Sequence, residues 1–303
     1  MVDIATTLPG LKLKNPTILA AGILGETGAS LENVAKAGAG AVVTKSIGIE
    51  PREGHGNPTF VETEHGIINA MGLPNPGIDN YKDEVESIIG TNIPVIGSIF
   101  GADAQEFEIL AVEMEKFGVS ALELNLSCPH AKGYGAILGH DKEKVLEITK
   151  VVKGAVKVPV YVKLSPNVSN IAEIACAVED AEGDGIVAIN TISAMAIDID
   201  MALPILSNAI GGLSGPGIKP IGLRCIYEIK AETELPVIGV GGILSGNDAI
   251  EYIMAGASAV QIGSGVYYKG IGIFSKVCQQ IQEFMDAHSY KTIKEMVGIA
   301  QKG

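Results

Sequence analysis

The strongest constraint in this 303-residue chain is a rhythm in which short apolar or β-branched runs alternate with helical patterns along the whole length. The runs are 16–22, 41–46, 94–100, 121–127, 159–165, 185–190, 236–242 and 259–264. Helical patterns reach about Ala37, cover about Asp103 to Phe117, Asp141 to Lys153, Ile218 to Ala231 and Ser245 to Met254, and begin again near Ser169 and Ile273. Runs that are apolar almost throughout suit strands covered on both faces and therefore paired in parallel, and eight strand–helix units is the number that closes a (β/α)8 TIM barrel. An open, doubly wound sheet is the competing arrangement. It needs a G-x-G-x-x-G turn after its first strand, and neither Ala21-Gly22-Ile23-Leu24-Gly25 nor any other glycine cluster has that spacing. A G-x-x-x-x-G-K-[ST] phosphate loop is missing too. With no linker composition, low-complexity segment or internal repeat, residues 1–303 are expected to form a single domain.

Two connections interrupt the rhythm. Residues 47–80 are rich in Gly, Pro and Asn, carry His55 and His65, and include Asn69-Ala-Met-Gly-Leu-Pro-Asn-Pro-Gly77; they are too long for a simple connection and read as a functional excursion, with a plain surface loop as the alternative. The second runs from the sixth strand to Gly217 and holds Gly211-Gly-Leu-Ser-Gly-Pro216. It is expected to be a long loop.

Bulk properties exclude several functions. A net charge of −13 is the wrong sign for neutralising phosphates along a nucleic acid. Mean hydropathy is +0.31, yet every apolar run meets Gly or a charge well before the ~20 residues that a spanning helix needs. The amino-terminal residues show neither a basic region nor a long apolar stretch, so the expectation is no secretory signal, no membrane-associating extension and a cytoplasmic location. Cys128, Cys176, Cys225 and Cys278 lie far apart without a C-x-x-C pair, which fits reduced thiols rather than zinc or an iron–sulfur cluster; no metal site is expected.

In a barrel, chemistry sits at the carboxyl ends of the strands. Lys45 ends the second run, Asn125 and Cys128 the fourth, Lys163 the fifth, and Asn190 and Thr191 the sixth. Singly, each has a bland reading: a strand-end lysine snorkels to solvent, an asparagine caps a turn, a lone cysteine fills a core. Together they imply one pocket holding cations, amides and a thiol in an apolar cup. Gly239-Val-Gly-Gly-Ile-Leu-Ser245 and Gln261-Ile-Gly-Ser-Gly265 place bare backbone after the last two strands, where barrels commonly bind a phosphate.

These residues resemble the dihydroorotate dehydrogenases over essentially the full chain. The resemblance rests on Thr44-Lys45-Ser46, Asn69 to Gly77, Glu123-Leu-Asn-Leu-Ser-Cys-Pro129, Val162-Lys-Leu-Ser-Pro166, Ile189-Asn-Thr191, Gly211 to Pro216, Gly241-Gly242 and Gly263-Ser264. It implies an FMN-dependent (β/α)8 barrel that oxidises dihydroorotate to orotate in pyrimidine synthesis. Cys128 would be the base, as in soluble class 1 members, where membrane-bound members use serine. The substrate would be held by Lys45, Asn69, Ala70, Met71, Gly72, Leu73, Asn125, Asn190 and Thr191, with the carboxamides reading the amide edge of the pyrimidine. The FMN would be held by Ala21, Lys45, Ser46, Ser98, Asn125, Lys163, Ile189, Gly215, Gly241, Gly242, Gly263 and Ser264, with Lys163 near the N1–C2 edge and the glycines and Ser264 around the phosphate. Family members often carry Asn where Ser98 and His130 stand. His130 reads as a structural loop residue, a substrate contact or a partner of the thiol.

Within the family, 190–200 with Gly211 to Pro216 resembles class 1B. That resemblance implies a homodimer of this chain joined to a second subunit carrying FAD and a [2Fe-2S] cluster that delivers electrons to NAD, a heterotetramer overall. The lack of a dinucleotide fingerprint and of clustered cysteines in this chain agrees. Three alternatives stay open: a class 1A-type enzyme using fumarate; a relative of dihydropyrimidine dehydrogenase, which Asn-Leu-Ser-Cys-Pro-His130 also resembles; and a non-redox barrel that binds a phosphorylated ligand.

Overall fold

In the computed structural model, which describes residues 2–91, 93–126 and 138–302, eight short strands close into a barrel. They are β1 Thr17–Leu19, β2 Ala41–Val43, β3 Val95–Ile99, β4 Ala121–Asn125, β5 Val160–Leu164, β6 Gly185–Ala188, β7 Val237–Val240 and β8 Ala257–Ile262. Neighbours in sequence are neighbours in the ring, β8 returns to β1, and every pairing is parallel. Each apolar run of the sequence therefore supplies one barrel strand.

Side chains alternate across a strand, so each strand sends one set outward and one inward. The outward set, including Leu19, Val42, Leu122, Leu124, Val162, Ile186 and Val260, packs with the helices in the main apolar cluster. The inward set forms a second cluster of Ile18, Ala41, Val43, Ile96, Ala121, Tyr161, Val187, Ile238, Val240 and Ala259 with Leu8, Leu11 and Leu13. Those three leucines come from an amino-terminal hairpin, Thr6–Leu8 against Leu11–Leu13, that closes the floor of the barrel. Tyr161 donates its hydroxyl to the Pro9 carbonyl at 2.7 Å, tying hairpin to barrel. The hairpin is an addition to the sequence reading, because three-residue strands give almost no periodic signal.

The outer helices are α1 Gly28–Lys36, α2 Lys82–Ile89, α3 Ala104–Lys116, α4 Lys142–Ala155, α5 Ile171–Asp180, α6 Lys219–Glu232, α7 Gly246–Ala255, α8 Ser264–Lys269 and α9 Ile273–Ala287. Five of their starts are written in the sequence. Thr27, Asp103, Asp141, Asn170 and Ser245 each accept a first-turn backbone N–H on a side-chain oxygen, satisfying donors that an uncapped helix leaves bare. Among the described residues, no helix is long and apolar enough to cross a membrane.

The two long connections are not simply loops. Phe60–Thr63 and Gly66–Asn69 from the first, and Ile192–Ala194 and Gly211–Ser214 from the second, form a four-stranded antiparallel sheet. Its central pairing sets Asn69 opposite Gly212, residues far apart in the chain. Gly- and Pro-rich segments carry little strand propensity, and this pairing supplies what local sequence does not. A further short ribbon, Ile197–Asp198 with Leu203–Pro204, stands beside it in sequence with Ile197, Ile199, Met201 and Leu203 exposed.

Candidate active site

Inside the barrel the lining changes from apolar at the floor to polar at the carboxyl ends of the strands. On β4, Glu123 and Asn125 lie two residues apart and so face inward at successive levels. On β5 Lys163 pairs in register with Asn125, and on β8 Gln261 faces them from across the barrel. The three polar groups meet. Lys163 Nζ lies 3.2 Å from Glu123 Oε1 and 3.3 Å from Gln261 Oε1, and Gln261 Nε2 donates to Glu123 Oε2 at 2.6 Å. All three residues are buried.

Above them a chain of hydrogen bonds crosses the strand ends from β2 to β6. Ser46 Oγ lies 2.8 Å from Ser98 Oγ, Asn125 Nδ2 donates to Ser46 Oγ at 3.2 Å, and Asn190 Nδ2 donates to Asn125 Oδ1 at 3.3 Å. The Thr191 N–H donates to Asn190 Oδ1 at 2.8 Å, and Asn167 Nδ2 reaches the Thr191 carbonyl at 3.1 Å. Each carboxamide is thus oriented by a neighbour, which preorganises the donors and acceptors that remain for a ligand. Lys45 stands at the side with its ammonium 3.4 Å from the exposed Glu26 carboxylate.

A cavity of about 380 Å³ opens above this layer, within the usual range of small-molecule sites. Ala21, Lys45, Ser46, Asn69, Met71, Gly72, Leu73, Asn125, Lys163, Ile189, Asn190, Thr191, Gly241, Gly242, Gly263 and Ser264 all line it. Three expected site residues stand back from the wall. Ser98 is fully buried and holds Ser46 from behind; Ala70 packs with Ile68 and Leu206 beneath the antiparallel sheet; Gly215 backs Gly242. A Cβ on Gly242, where φ is +67°, would lie 2.7 Å from the Gly215 carbonyl oxygen, so the close approach of these two backbones requires glycine. Cys128 and His130 lie outside the described residues. His55 is engaged elsewhere, its Nδ1 3.2 Å from the Ala70 carbonyl, and His65 is exposed beside Glu64.

The sequence reading missed Gln261, Phe60 and Tyr267 as lining residues. Gln261 had the same signal as Lys163, a lone polar residue in an apolar strand. Phe60 and Tyr267, with ring centroids 5.5 Å apart at the rim, are brought together by the antiparallel sheet and α8, which left no local signal.

The chain matches the family model described as dihydroorotate dehydrogenase over residues 3–285. The chain belongs to the dihydroorotate dehydrogenase family. It is 54% identical over 301 residues to "Dihydroorotate dehydrogenase B (NAD(+)), catalytic subunit" of Methanocaldococcus jannaschii, covering 98% of each chain. It is 54% identical over 302 residues to the protein of the same description in Thermoplasma volcanium, covering 100% of each. A relative in Pyrococcus furiosus is 50% identical over 301 residues, covering 99% of this chain and 100% of the other. In fold, the chain resembles the crystal structure of DHODH in complex with ferulenol from Eimeria tenella, with a TM-score of 0.87 at 21% identity, covering 99% of this chain and 89% of that one. Dihydroorotate dehydrogenases are flavin-dependent, and the residues present suit such a group: a buried cation and carboxamides on one side, and close-packed glycine backbone on the other.

The glycine wall is braced from outside. Asp248 in the first turn of α7 accepts from the Leu244 N–H at 3.0 Å, from Ser245 Oγ at 2.8 Å and from Lys219 Nζ at 2.7 Å. Burial pushes its carboxyl up, but the hydrogen bonds from Lys219, Leu244 and Ser245 outweigh that and hold it below the ordinary carboxylate range. A depressed carboxyl contributes stability that is complete above its unfolded-state value and is lost as pH falls through the folded-state one. Asp248→Asn is therefore expected to cost roughly 1–3 kcal/mol at pH 7. In urea unfolding as a function of pH, that difference should narrow below about pH 4; a penalty that is the same at every pH contradicts the charge assignment.

Proposed function

We propose that this cavity binds FMN against the buried layer and dihydroorotate above it, and that Cys128 is the base. The reaction is the dehydrogenation of dihydroorotate to orotate in pyrimidine biosynthesis, the activity of the family to which the chain belongs. One observation carries the site assignment: Lys45, Asn69, Asn125, Lys163, Asn190 and Thr191, contributed by several strand ends and a connection between strands, line one cavity with a glycine wall. A non-redox barrel leaves that convergence without a task.

Oxidising the ring removes a proton from one carbon and a hydride from the next. Bound flavin supplies the hydride acceptor. The protein supplies the rest. Asn69, Asn125, Asn190 and Thr191 match the alternating donors and acceptors of the pyrimidine and fix it in one orientation. The Lys45 ammonium balances the substrate carboxylate, its counter-ion Glu26 being exposed enough to yield to it. Met71, Gly72 and Leu73 cover the ring, which excludes water from the reacting face. Gly241, Gly242, Gly263 and Ser264 hold the phosphate, with Gly215 and Ser98 supporting from behind. The proton passes to the Cys128 sulfur, which must first be a thiolate; a free thiol titrates near about 8.5, so turnover should rise toward alkaline pH.

The three described cysteines do not serve this role. Burial pushes Cys225 up to about 11 and raises Cys176 and Cys278, and none of the three lines the cavity. We further propose a single-domain, cytoplasmic subunit. A homodimer of this chain joins electron-transfer subunits carrying FAD and a [2Fe-2S] cluster, which pass electrons to NAD, in a heterotetramer; the description of the relatives as catalytic subunits of an NAD(+) enzyme supports a partner subunit.

Two measurements test this reading. Purified protein should be yellow and should bleach on anaerobic addition of dihydroorotate but not of dihydrouracil; bleaching by dihydrouracil alone moves the activity to uracil chemistry, and a protein colourless after added FMN ends the redox reading. Cys128→Ser should retain FMN and lose at least about a hundredfold in turnover at pH 7, since general-base catalysis is worth about 10²–10⁴-fold. Unchanged turnover removes Cys128 from the mechanism.

A further inference from the structure

Lys163 was expected simply to bring positive charge to the flavin. Its surroundings are more particular. Nζ is 3.2 Å from one oxygen of Glu123, whose residue is 0% exposed, and 3.3 Å from the carboxamide oxygen of Gln261, which is 1% exposed. The other end of that carboxamide donates to the second oxygen of Glu123 at 2.6 Å. The amide orientation is determined by its neighbours: flipped, it would turn NH₂ toward an ammonium and oxygen toward a carboxylate, repulsive on both sides. Three side chains from β4, β5 and β8 thus form a closed cycle across the barrel.

Such a cycle is a poor device for stability. Two charges withdrawn from water lose solvation that their attraction only partly restores, and well-packed apolar side chains of similar volume are often as stable or more so. The neighbouring inward layer is built that way, from Ile, Val, Ala and Tyr. The cycle also has a direction. Lys163 and Gln261 line the cavity, while Glu123 is not among the lining residues and lies two residues before Asn125 on the same face of β4. The cavity therefore meets a lysine whose charge is balanced from beneath, with its ammonium held in place by a carboxylate and an amide.

We propose that Glu123 and Gln261 are positioning residues that hold Lys163 under the flavin and, through the Glu123 carboxylate, limit the positive charge the cofactor experiences, so that the reduction potential of bound FMN is set by the trio rather than by the lysine alone. This rests on the flavin reading of the cavity. A negative charge near the flavin opposes its reduction, and a site with little water screens that effect weakly. Removing the carboxylate raises the potential; a second carboxyl at position 261 would share a proton with Glu123, and lowers the potential only where pH is high enough to remove that proton.

The test is the midpoint potential of FMN in the purified full-length holoprotein, measured by anaerobic reduction against a reference dye for the natural chain, Glu123→Gln and Gln261→Glu. Glu123→Gln should shift the reduced-to-oxidised ratio at fixed potential at least tenfold toward reduced, about 30 mV for a two-electron couple. Gln261→Glu should shift it the other way as pH is raised and the proton shared with Glu123 is lost. A merely structural trio would alter unfolding midpoints and leave the potentials equal, and that result overturns the proposal. If Glu123→Gln does not fold or does not retain FMN, the Gln261→Glu potential measured at alkaline pH, where the pair has lost its shared proton, decides: lowered relative to the natural chain supports the proposal, unchanged or raised refutes it. A natural chain that never takes up FMN fails the flavin reading itself, whereas a yellow natural chain with equal potentials across the variants fails this inference alone.

Discussion

The contact among Glu123, Lys163 and Gln261 marks the level at which this barrel stops being a core and becomes a site. Below it the interior is closed by apolar side chains and by Leu8, Leu11 and Leu13 of the hairpin. Above it the wall carries carboxamides, hydroxyls and a second lysine. A buried ion pair needs partners for all of its polar atoms, and here the partners come from three strands, which no open sheet would bring face to face. Barrel closure is therefore a condition of the site's electrostatics as well as of its shape.

The same division explains where the chain spends regularity and where it departs from it. The floor and the outer layer use alternation and, at five helices, side-chain caps. The mouth departs from this regularity, with Gly241 and Gly242 at positive φ and two long connections folded into an antiparallel sheet. Lys219 and Asp248 hold α6 to α7 directly behind the glycine wall, so that side of the cavity is fixed by secondary structure rather than by loop. Another side is bordered by the antiparallel sheet in which Asn69 pairs with Gly212.

How much of this could be read from sequence follows from how local each signal is. Eight apolar runs and their intervening helices gave the barrel because strand and helix periods are local properties, and Lys45, Asn125, Lys163, Asn190 and Thr191 were found because a polar residue at the end of an apolar run is conspicuous. The antiparallel sheet was read as loop because its strands are short, two of them begin with glycine, and its central pairing joins residues 143 apart in the chain. Ser98, Ala70 and Gly215 do not line the cavity: adjacency in a motif does not say which neighbour faces a cavity and which stands behind it. Glu123 and Gln261 were visible as isolated polar residues, but their meeting depends on strands four apart in the ring.

The central claim is that one polar layer at the carboxyl ends of the strands receives both flavin and substrate. A crystal structure of the holoprotein with orotate tests it most directly. The account predicts the flavin ring beside Lys163, its phosphate at Gly241, Gly242, Gly263 and Ser264, and orotate among Lys45, Asn69, Asn125 and Asn190. Flavin or orotate bound outside this cavity, with Lys163 facing neither, would contradict it.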